Sequence, residues 1–464
     1  MNNFNMITGT DGYKFVGHNK MLPEGTKYVQ SYFEARKGAM YPKTMFVGLQ
    51  PILKDYLCGV VITTEMIDKA ERLANRYIQN GKNIFDRERW DYIVRQHGGR
   101  LPIVIYAVPE GTLVDIDNVL MTVQNTDSKC AWLTGHLETI LTHVWYTCTV
   151  GTKSYYIKEL FKKFLNLTSD EGENFGGINF MLHDFGFRGT SSFESAQRGG
   201  MAHMVNFDGT DTLAGIEYTE DQYCGVEVGM SVIATEHSIM TAMGRRGEWD
   251  VVKSLFDEFQ EGILSLVIDS YDYKNFVDSF IGDYFKQNVL DRDGVTVLRP
   301  DSGEPVPTVL YILNSLEKNF GSTVNGKGFK VLNPKVRVLW GDGIDTDGIE
   351  SILMAMVDDG WSTENIIFGM GGHLLQGVNR DTQRFAFKAS AQYRDGEWTD
   401  VYKEPLDKSK ASKKGRQRLI KVGGQWGTTN SRDPRLKDEL EMVFLNGKLV
   451  REYNFNEVRE NSKK

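Results

Sequence analysis

Between His183 and Gly215 the chain brings an aromatic ring, a guanidinium and a carboxylate to a spacing at which all three could meet one ligand. Phe185 and Arg188 lie in a short loop, His183 to Gly189, that runs into Thr190, Ser191 and Ser192, any of which suits the cap of a helix beginning at Phe193. A loop held at a helix N-terminus sits beside free N–H groups and the positive dipole end, surroundings that favour an anion. After that helix, Asp208-Gly209-Thr210-Asp211 reads as a turn that ends in a carboxylate, at the start of a strand expected over 212–216. Taken alone, the segment is equally consistent with an ordinary loop holding one buried phenylalanine and some surface charge.

Further groups could act with it. The run Ser231 to Ser238 contains Glu236-His237 and is expected to open a helical stretch to Met243. A histidine beside a carboxylate at a helix start can be a nucleophile or an acid–base, with Glu236 orienting the imidazole, although a lone histidine is more often structural. Arg299-Pro300-Asp301-Ser302-Gly303 could hold a phosphate and a sugar hydroxyl, or simply close a salt-bridged turn. Gly369 to Gly372, followed by Leu374-Leu375-Gln376, suits a phosphate cradle at a helix start, and equally a tight connection. Gly321 to Gly328 approaches a P-loop, but Gly328 stands where Ser or Thr must hold magnesium, so it reads as a loop. Neither a G-x-S-x-G elbow nor an H-E-x-x-H helix occurs, which removes two hydrolase classes.

The elements that must position these groups recur at regular intervals. Apolar runs at 264–268, 295–298, 336–340 and 365–368 end in Asp269-Ser270-Tyr271-Asp272, Arg299 to Gly303, Gly341-Asp342-Gly343 and Gly369 to Gly372. Strands alternating with helical segments argue for a parallel sheet, and in a β/α barrel the carboxyl ends of the strands converge on one site. An open doubly wound sheet would also bind at strand ends. The recurrence of the glycine loops favours the barrel. The expected fold is therefore α/β: an irregular β/α barrel over 151–380, and an α+β region over 1–150 on which 380–464 packs. In the first region strands are expected over 27–36, 101–108 and 119–124, and helices over 64–80, 87–96 and 131–148. His136 and His143 read as core histidines, and Tyr13 as exposed.

Composition limits the classes of function. The apolar fraction is 41%, with no run long enough to span a bilayer, so no membrane segment is expected. The N-terminus lacks the regions of a signal peptide, and the four dispersed cysteines suit a cytosolic chain with neither a disulfide framework nor a structural zinc site. A net charge of −8 argues against a nucleic-acid binder. The basic run Lys403, Lys408, Lys410, Lys413, Lys414, Arg416, Arg418 and Lys421 reads as a solvated mobile loop, against the alternative of a flap over a polyphosphate substrate.

The motifs, in order, resemble the nicotinamide phosphoribosyltransferase family of type II phosphoribosyltransferases. Those that carry the resemblance are Asp11-Gly12-Tyr13-Lys14, Ser31 to Glu34, the His183 to Gly215 block, Ser231 to Ser238, Val267 to Asp272, Arg299 to Gly303, Gly341 to Gly343, Phe368 to Gln376 and Arg380-Asp381. The resemblance implies a cytoplasmic homodimer with shared active sites that joins nicotinamide to phosphoribosyl pyrophosphate, giving nicotinamide mononucleotide and pyrophosphate for NAD salvage. It implies that Phe185 stacks on the pyridine, with Tyr13 of the other subunit opposite, and that Asp211 accepts the carboxamide N–H. Arg188 and Arg299 would hold phosphate or diphosphate, Asp301, Gly341 and Asp342 the ribose, and Gly371 and Gly372 the 5′-phosphate. Arg380, Lys388, Lys403 and Arg36 would hold the diphosphate across the dimer, with Ser231 and Ser265 also at the substrate. His237 matches the histidine that the family phosphorylates from ATP, and Mg²⁺ is expected near Asp269 and Asp301.

Phe187 stands where the family motif has tyrosine, and Met370 and His373 alter its glycine loop. The region after Arg36 is shorter than in vertebrate members. Nicotinate phosphoribosyltransferase is the neighbouring reading; it would need a cation in place of Asp211 against the ring substituent. A catalytically silent binding protein on the same fold is the alternative from another class.

Overall fold

The computed structural model describes residues 4–15, 19–78, 84–225, 227–406 and 411–464. The chain forms two compact units: Met1–Thr152 with Glu220–Gly225 and Asn379–Lys464, and Lys153–Thr219 with Val226–Val378.

The first unit is built on a seven-stranded antiparallel sheet, in the order Glu397–Asp400, Phe385–Arg394, Tyr28–Ala35, Asn118–Asn125, Ile103–Ala107, Glu441–Leu445 and Lys448–Leu449. Residues 29–35 are buried on both faces, because the helix Leu133–Thr142 and the hairpin Arg418–Val422/Gln425–Thr429 pack on the sheet. Here a buried carboxyl group is fully engaged. The Glu110 carboxylate accepts from the N–H groups of Gly48 (2.8 Å) and Gln50 (2.6 Å) and from the Tyr223 hydroxyl (2.5 Å). Gly48 makes that approach possible, since its φ is +94° and a Cβ would lie 2.2 Å from the Thr147 hydroxyl.

One of the two expected core histidines is borne out and the other is not. His136 is buried, with Nε2 3.0 Å from the Met6 carbonyl, and burial depresses its pKa to about 4. His143, by contrast, is exposed on the same helical run. The basic segment is anchored at two of its cations, while Lys403, Lys414 and Lys421 are exposed as a solvated run would be. Lys413 pairs with Glu34 and Asp117 (2.5 and 2.6 Å), and Arg418 with Asp438 (3.4 Å); Lys408 and Lys410 lie outside the described residues. His97, Asp127 and Cys130 converge, but Asp127 is a hydrogen-bond acceptor hub, taking Lys129 N–H (2.8 Å) and Tyr92 O–H (2.8 Å) and lying 2.7 Å from His97 Nε2.

The second unit holds a six-stranded parallel sheet in the order Leu182–Asp184, Ile366–Met370, Val336–Trp340, Asp293–Arg299, Glu261–Val267 and Ile233–Ala234. Two parallel bridges extend it: Asp184 pairs with Thr210, and Gly209 with Met230, three residues before Ile233. The pairings thus run round to the other edge, and the sheet is an irregular β/α barrel with one thin seam at 208–211 and Met230. Helices such as Pro305–Phe320 and Thr346–Asp358 follow their strands and bury one face each.

The strand expected over 212–216 is instead the start of the helix Leu213–Tyr223. The Gly215 N–H donates to the Thr212 carbonyl at 2.8 Å, opening the first turn, and a run of five residues is too short to separate the two periods. Likewise, the stretch from Ser231 is extended through Ile233–Ala234, and only His237–Met240 is helical before a separate helix Gly244–Glu258. Gly321 to Gly328 belongs to a small hairpin, Ser322–Val324 with Lys330–Leu332.

Candidate active site

The carboxyl ends of the barrel strands open into a pocket of about 830 Å³, lined by Phe185, Arg188, Asp211, His237, Arg299, Asp301, Gly341, Asp342 and Gly371, and also by Phe187, Thr212, Glu236 and Ser238. Each residue is delivered by the end of a strand or by the loop after it.

Phe185 follows the strand Leu182–Asp184, and its N–H donates to the Met370 carbonyl (3.0 Å) of the adjacent strand. Gly369 makes room for the ring: a Cβ there would lie 2.1 Å from Phe185 Cε2. Arg188 is exposed on a single 3₁₀ turn, Phe187–Gly189. Ser192 then caps the helix Phe193–His203, accepting from Ser195 N–H at 3.1 Å, while Ser191 N–H donates to Gln376 (3.0 Å) and ties this loop to the Gly371 loop. Asp184 had no assigned part. Fully buried, it accepts from Gly186 N–H (2.7 Å) and shapes the Phe185 turn. Burial pushes its pKa up to about 6 against the pull of Gly186 and Thr212, with Asp211 adding to the rise. Its second oxygen and the Thr212 hydroxyl make no hydrogen bond of good geometry, although they are near enough to interact.

Asp211 is exposed and accepts from Ser231 O–H at 2.7 Å, so two residues expected at the substrate meet at the seam. Arg299 lies across the pocket floor. One terminal nitrogen donates to the Thr235 carbonyl (2.7 Å), its Nε is buried without a partner, and its guanidinium stands 5.6 Å over the Phe185 ring. Burial lowers its pKa, while Asp301, Asp211 and Asp269 hold it up and Arg188 opposes them. Asp301 is the mirror case: burial raises its carboxyl, Arg299 lowers it, Asp269 raises it, His237 lowers it and Asp342 raises it. These mutual effects describe one coupled cluster around an open volume.

His237 is the first residue of its short helix, with Nε2 3.0 Å from Asp269 Oδ1 and Nδ1 3.9 Å from Asp301 Oδ2. The orienting carboxylate is therefore Asp269, not Glu236, whose carboxylate accepts from Ser238. Sequence adjacency pointed to the wrong acid because the helix turn carries Glu236 away, while the next strand returns Asp269 to the ring. Asp269 is buried and also accepts from Ser302 O–H, a residue already inside the Arg299 to Gly303 motif but not singled out. Thr235, which receives Arg299 and accepts from Val267 N–H (2.9 Å), carried no sequence signal. Ser265 is buried with an unpartnered hydroxyl and is not among the residues lining the pocket, and Gly372 lies one residue beyond the pocket-lining Gly371.

The remaining expected residues belong to the first unit. Tyr13 is 61% exposed. Lys388 has its pKa lowered by burial, with Glu138 opposing and the charges of Lys403, Arg36 and Lys14 adding to the fall, so these cations form one group. Arg36 donates to the Arg384 carbonyl (3.1 Å), and Arg380 is exposed, 3.7 Å from Asp381.

Residues 180–448 match the nicotinate phosphoribosyltransferase (NAPRTase) family, and residues 5–105 the nicotinamide phosphoribosyltransferase N-terminal domain. The chain is 42% identical to a nicotinamide phosphoribosyltransferase of Xanthomonas campestris, across 98% of this chain and 97% of that one. It is 33% identical to one of Mycoplasma genitalium, across 90% and 96%. Among solved structures it is similar to nicotinate-nucleotide pyrophosphorylase from Pyrococcus furiosus (TM-score 0.63, 16% identity, 100% and 96% covered). It is also similar to human nicotinic acid phosphoribosyltransferase (TM-score 0.57, 14% identity, 98% and 93% covered). At those identities the structures speak for the fold alone. No described helix is long and apolar enough to cross a membrane.

Proposed function

The chain belongs to the nicotinate phosphoribosyltransferase family, and from that premise we propose that it condenses nicotinamide with phosphoribosyl pyrophosphate, releasing pyrophosphate and forming nicotinamide mononucleotide. The observation that carries this reading is Arg299 held over the Phe185 ring with Asp211 in the same pocket. An aromatic face suits the pyridine, and the carboxylate beside it suits the carboxamide N–H. Nicotinate would bring its own carboxylate against Asp211, a repulsion that favours the amide.

The pyridine nitrogen is already a nucleophile, so no base is needed. It attacks the anomeric carbon as the bond to pyrophosphate breaks, and the protein's work is alignment and stabilisation of the departing charge. Arg299 and Arg188 do this from the barrel. Tyr13, Arg36, Arg380, Lys388 and Lys403 serve from a second subunit of a homodimer; the exposure of Tyr13 and the grouping of the cations support that assignment. Asp269 and Asp301, whose carboxyl Asp269 and Asp342 both push up, are hard oxygen donors that would fit Mg²⁺. When bound, the ion neutralises diphosphate charge.

His237 serves ATP coupling. With Nε2–H donated to Asp269, the Nδ1 lone pair is free to attack the γ-phosphorus of ATP; an N–P bond forms, the P–O bond breaks and ADP leaves. The phosphoryl group then adds negative charge beside the diphosphate site. Purified enzyme should form nicotinamide mononucleotide from the two substrates, faster with ATP. His237→Ala should lose ATPase activity and ATP stimulation yet keep slow synthesis, and a mutant that hydrolyses ATP at the parental rate would refute the phosphohistidine.

A further inference from the structure

The first unit encloses a second polar cavity, of about 270 Å³, between one face of its seven-stranded sheet and the segment 416–440. The sheet contributes Gln30, Thr122 and Gln124; Gln30 pairs with Gln124 across two strands, so these polar groups are neighbours. The covering segment contributes Arg416, Arg418 and Arg432, against a single carboxylate, Asp438.

The three guanidinium groups are not equally committed. Arg418 takes Asp438 (3.4 Å) and donates to the carbonyls of Ser431 (2.9 Å) and Leu436 (2.5 Å), so its role is structural. Arg432 gives one N–H to the Arg416 carbonyl (3.2 Å). Arg416 stands 4.7 Å over the Trp398 ring, and its Nε is buried with no hydrogen-bond partner. Gln30 is 8% exposed, and its Oε1 is a second buried atom with no partner. Partial desolvation lowers the Arg432 pKa, and the charges of Arg416 and Arg418 lower it further, while Asp438 opposes them. An orphaned donor, an orphaned acceptor and three guanidinium groups against one carboxylate around one cavity leave room for a ligand that supplies what is missing.

We propose that this cavity binds a phosphate monoester, with Arg416 and Arg432 gripping the phosphate and Gln30 Oε1 accepting a hydroxyl or N–H of the esterified group. Planar guanidinium forks match phosphate oxygens in pairs, and Arg416 is already held by its aromatic platform. The volume lies at the small end of ligand sites, fit for a sugar phosphate and too small for a dinucleotide. Every residue of the site lies in the first unit, so the proposal is independent of the reaction assigned to the barrel.

Phosphate compounds should also enter the barrel pocket, and the test separates the two sites by variants. In calorimetry at low ionic strength, ribose 5-phosphate should show two binding events on the full-length wild type. Arg188→Gln should weaken one at least tenfold and Arg432→Gln the other. Arg432 is exposed, so its replacement is tolerated by the fold, and Arg432→Lys should bind with intermediate affinity. Inorganic phosphate should bind the second site more weakly than ribose 5-phosphate, and Gln30→Leu should erase that difference. The proposal is overturned if Arg432→Gln and Arg416→Gln leave both events unchanged, if Arg188→Gln removes all binding, or if the two ligands bind the second site equally.

Discussion

Glu110 in the antiparallel unit and Arg299 in the barrel are both titratable groups whose charged forms burial opposes, yet their surroundings differ in kind. Glu110 receives three donors and leaves no oxygen idle. Arg299 has one hydrogen bond and a buried Nε with nothing to bind, and Ser265 and Ser270 of the same unit also keep buried hydroxyls without a partner. A satisfied buried group stabilises a fold, whereas an unsatisfied one is tolerated where a ligand completes it.

The sharpest way to break this contrast is to delete both groups. Glu110→Ala strands three buried donors and should cost roughly 3–6 kcal/mol of stability, read from the urea midpoint. Arg299→Ala should lower that midpoint by less than Glu110→Ala does, because relief of a desolvated cation partly offsets the carboxylates left without it, while kcat/KM falls roughly 10²–10³-fold. Equal losses of stability in the two variants would erase the distinction.

Asp184 sharpens the comparison through pH. Its carboxyl has a pKa of about 6 in the fold against 3.8 for the free group. Between those values the folded state binds more protons than the unfolded state, so this group's contribution falls as pH rises from about 4 to 6, and the loss is complete above that. Asp184→Asn keeps an acceptor for Gly186 and stays neutral. Its stability relative to wild type should therefore improve by up to about 3 kcal/mol between pH 4 and pH 7. The effects of His136 and His203, whose pKa values burial depresses to about 4 and about 3, are common to both proteins and cancel. A flat difference across that range would acquit Asp184.

The smallest effect concerns Asp211, exposed and bonded to Ser231. Asp211→Asn should weaken the preference for nicotinamide over nicotinate by about 1–3 kcal/mol, read as the ratio of kcat/KM for the two bases. An unchanged ratio would take Asp211 out of base recognition.

Much of the barrel was legible because each apolar run ends abruptly in Asp, Arg or Gly; the strands Val336–Trp340 and Ile366–Met370 lie where those runs fall. The pocket followed from the same strand ends. What escaped was set by tertiary neighbours. Asp269 replaces Glu236 beside His237 because strand order, not chain order, decides which acid reaches the ring. The helix at Leu213–Tyr223 was missed because five apolar and β-branched residues carry no period. Arg416 gave no sign of its cavity, since a basic run looks the same whether solvated or laid across a sheet.

The seam of the barrel has a mechanical consequence. Arg299 hangs from a ladder that pairs seven successive residues of Glu261–Val267 with Asp293–Arg299, whereas Asp211 and Ser231 each follow a residue held by an isolated bridge. The pocket thus has an anvil on one side and a spring leaf on the other. The leaf carries Asp211 and Ser231, and the amides of Thr210 and Met230 should exchange with solvent long before those of Val297 and Leu298. Closing on a ligand would draw the loose wall toward the stiff one, and the charged floor would hold its shape throughout.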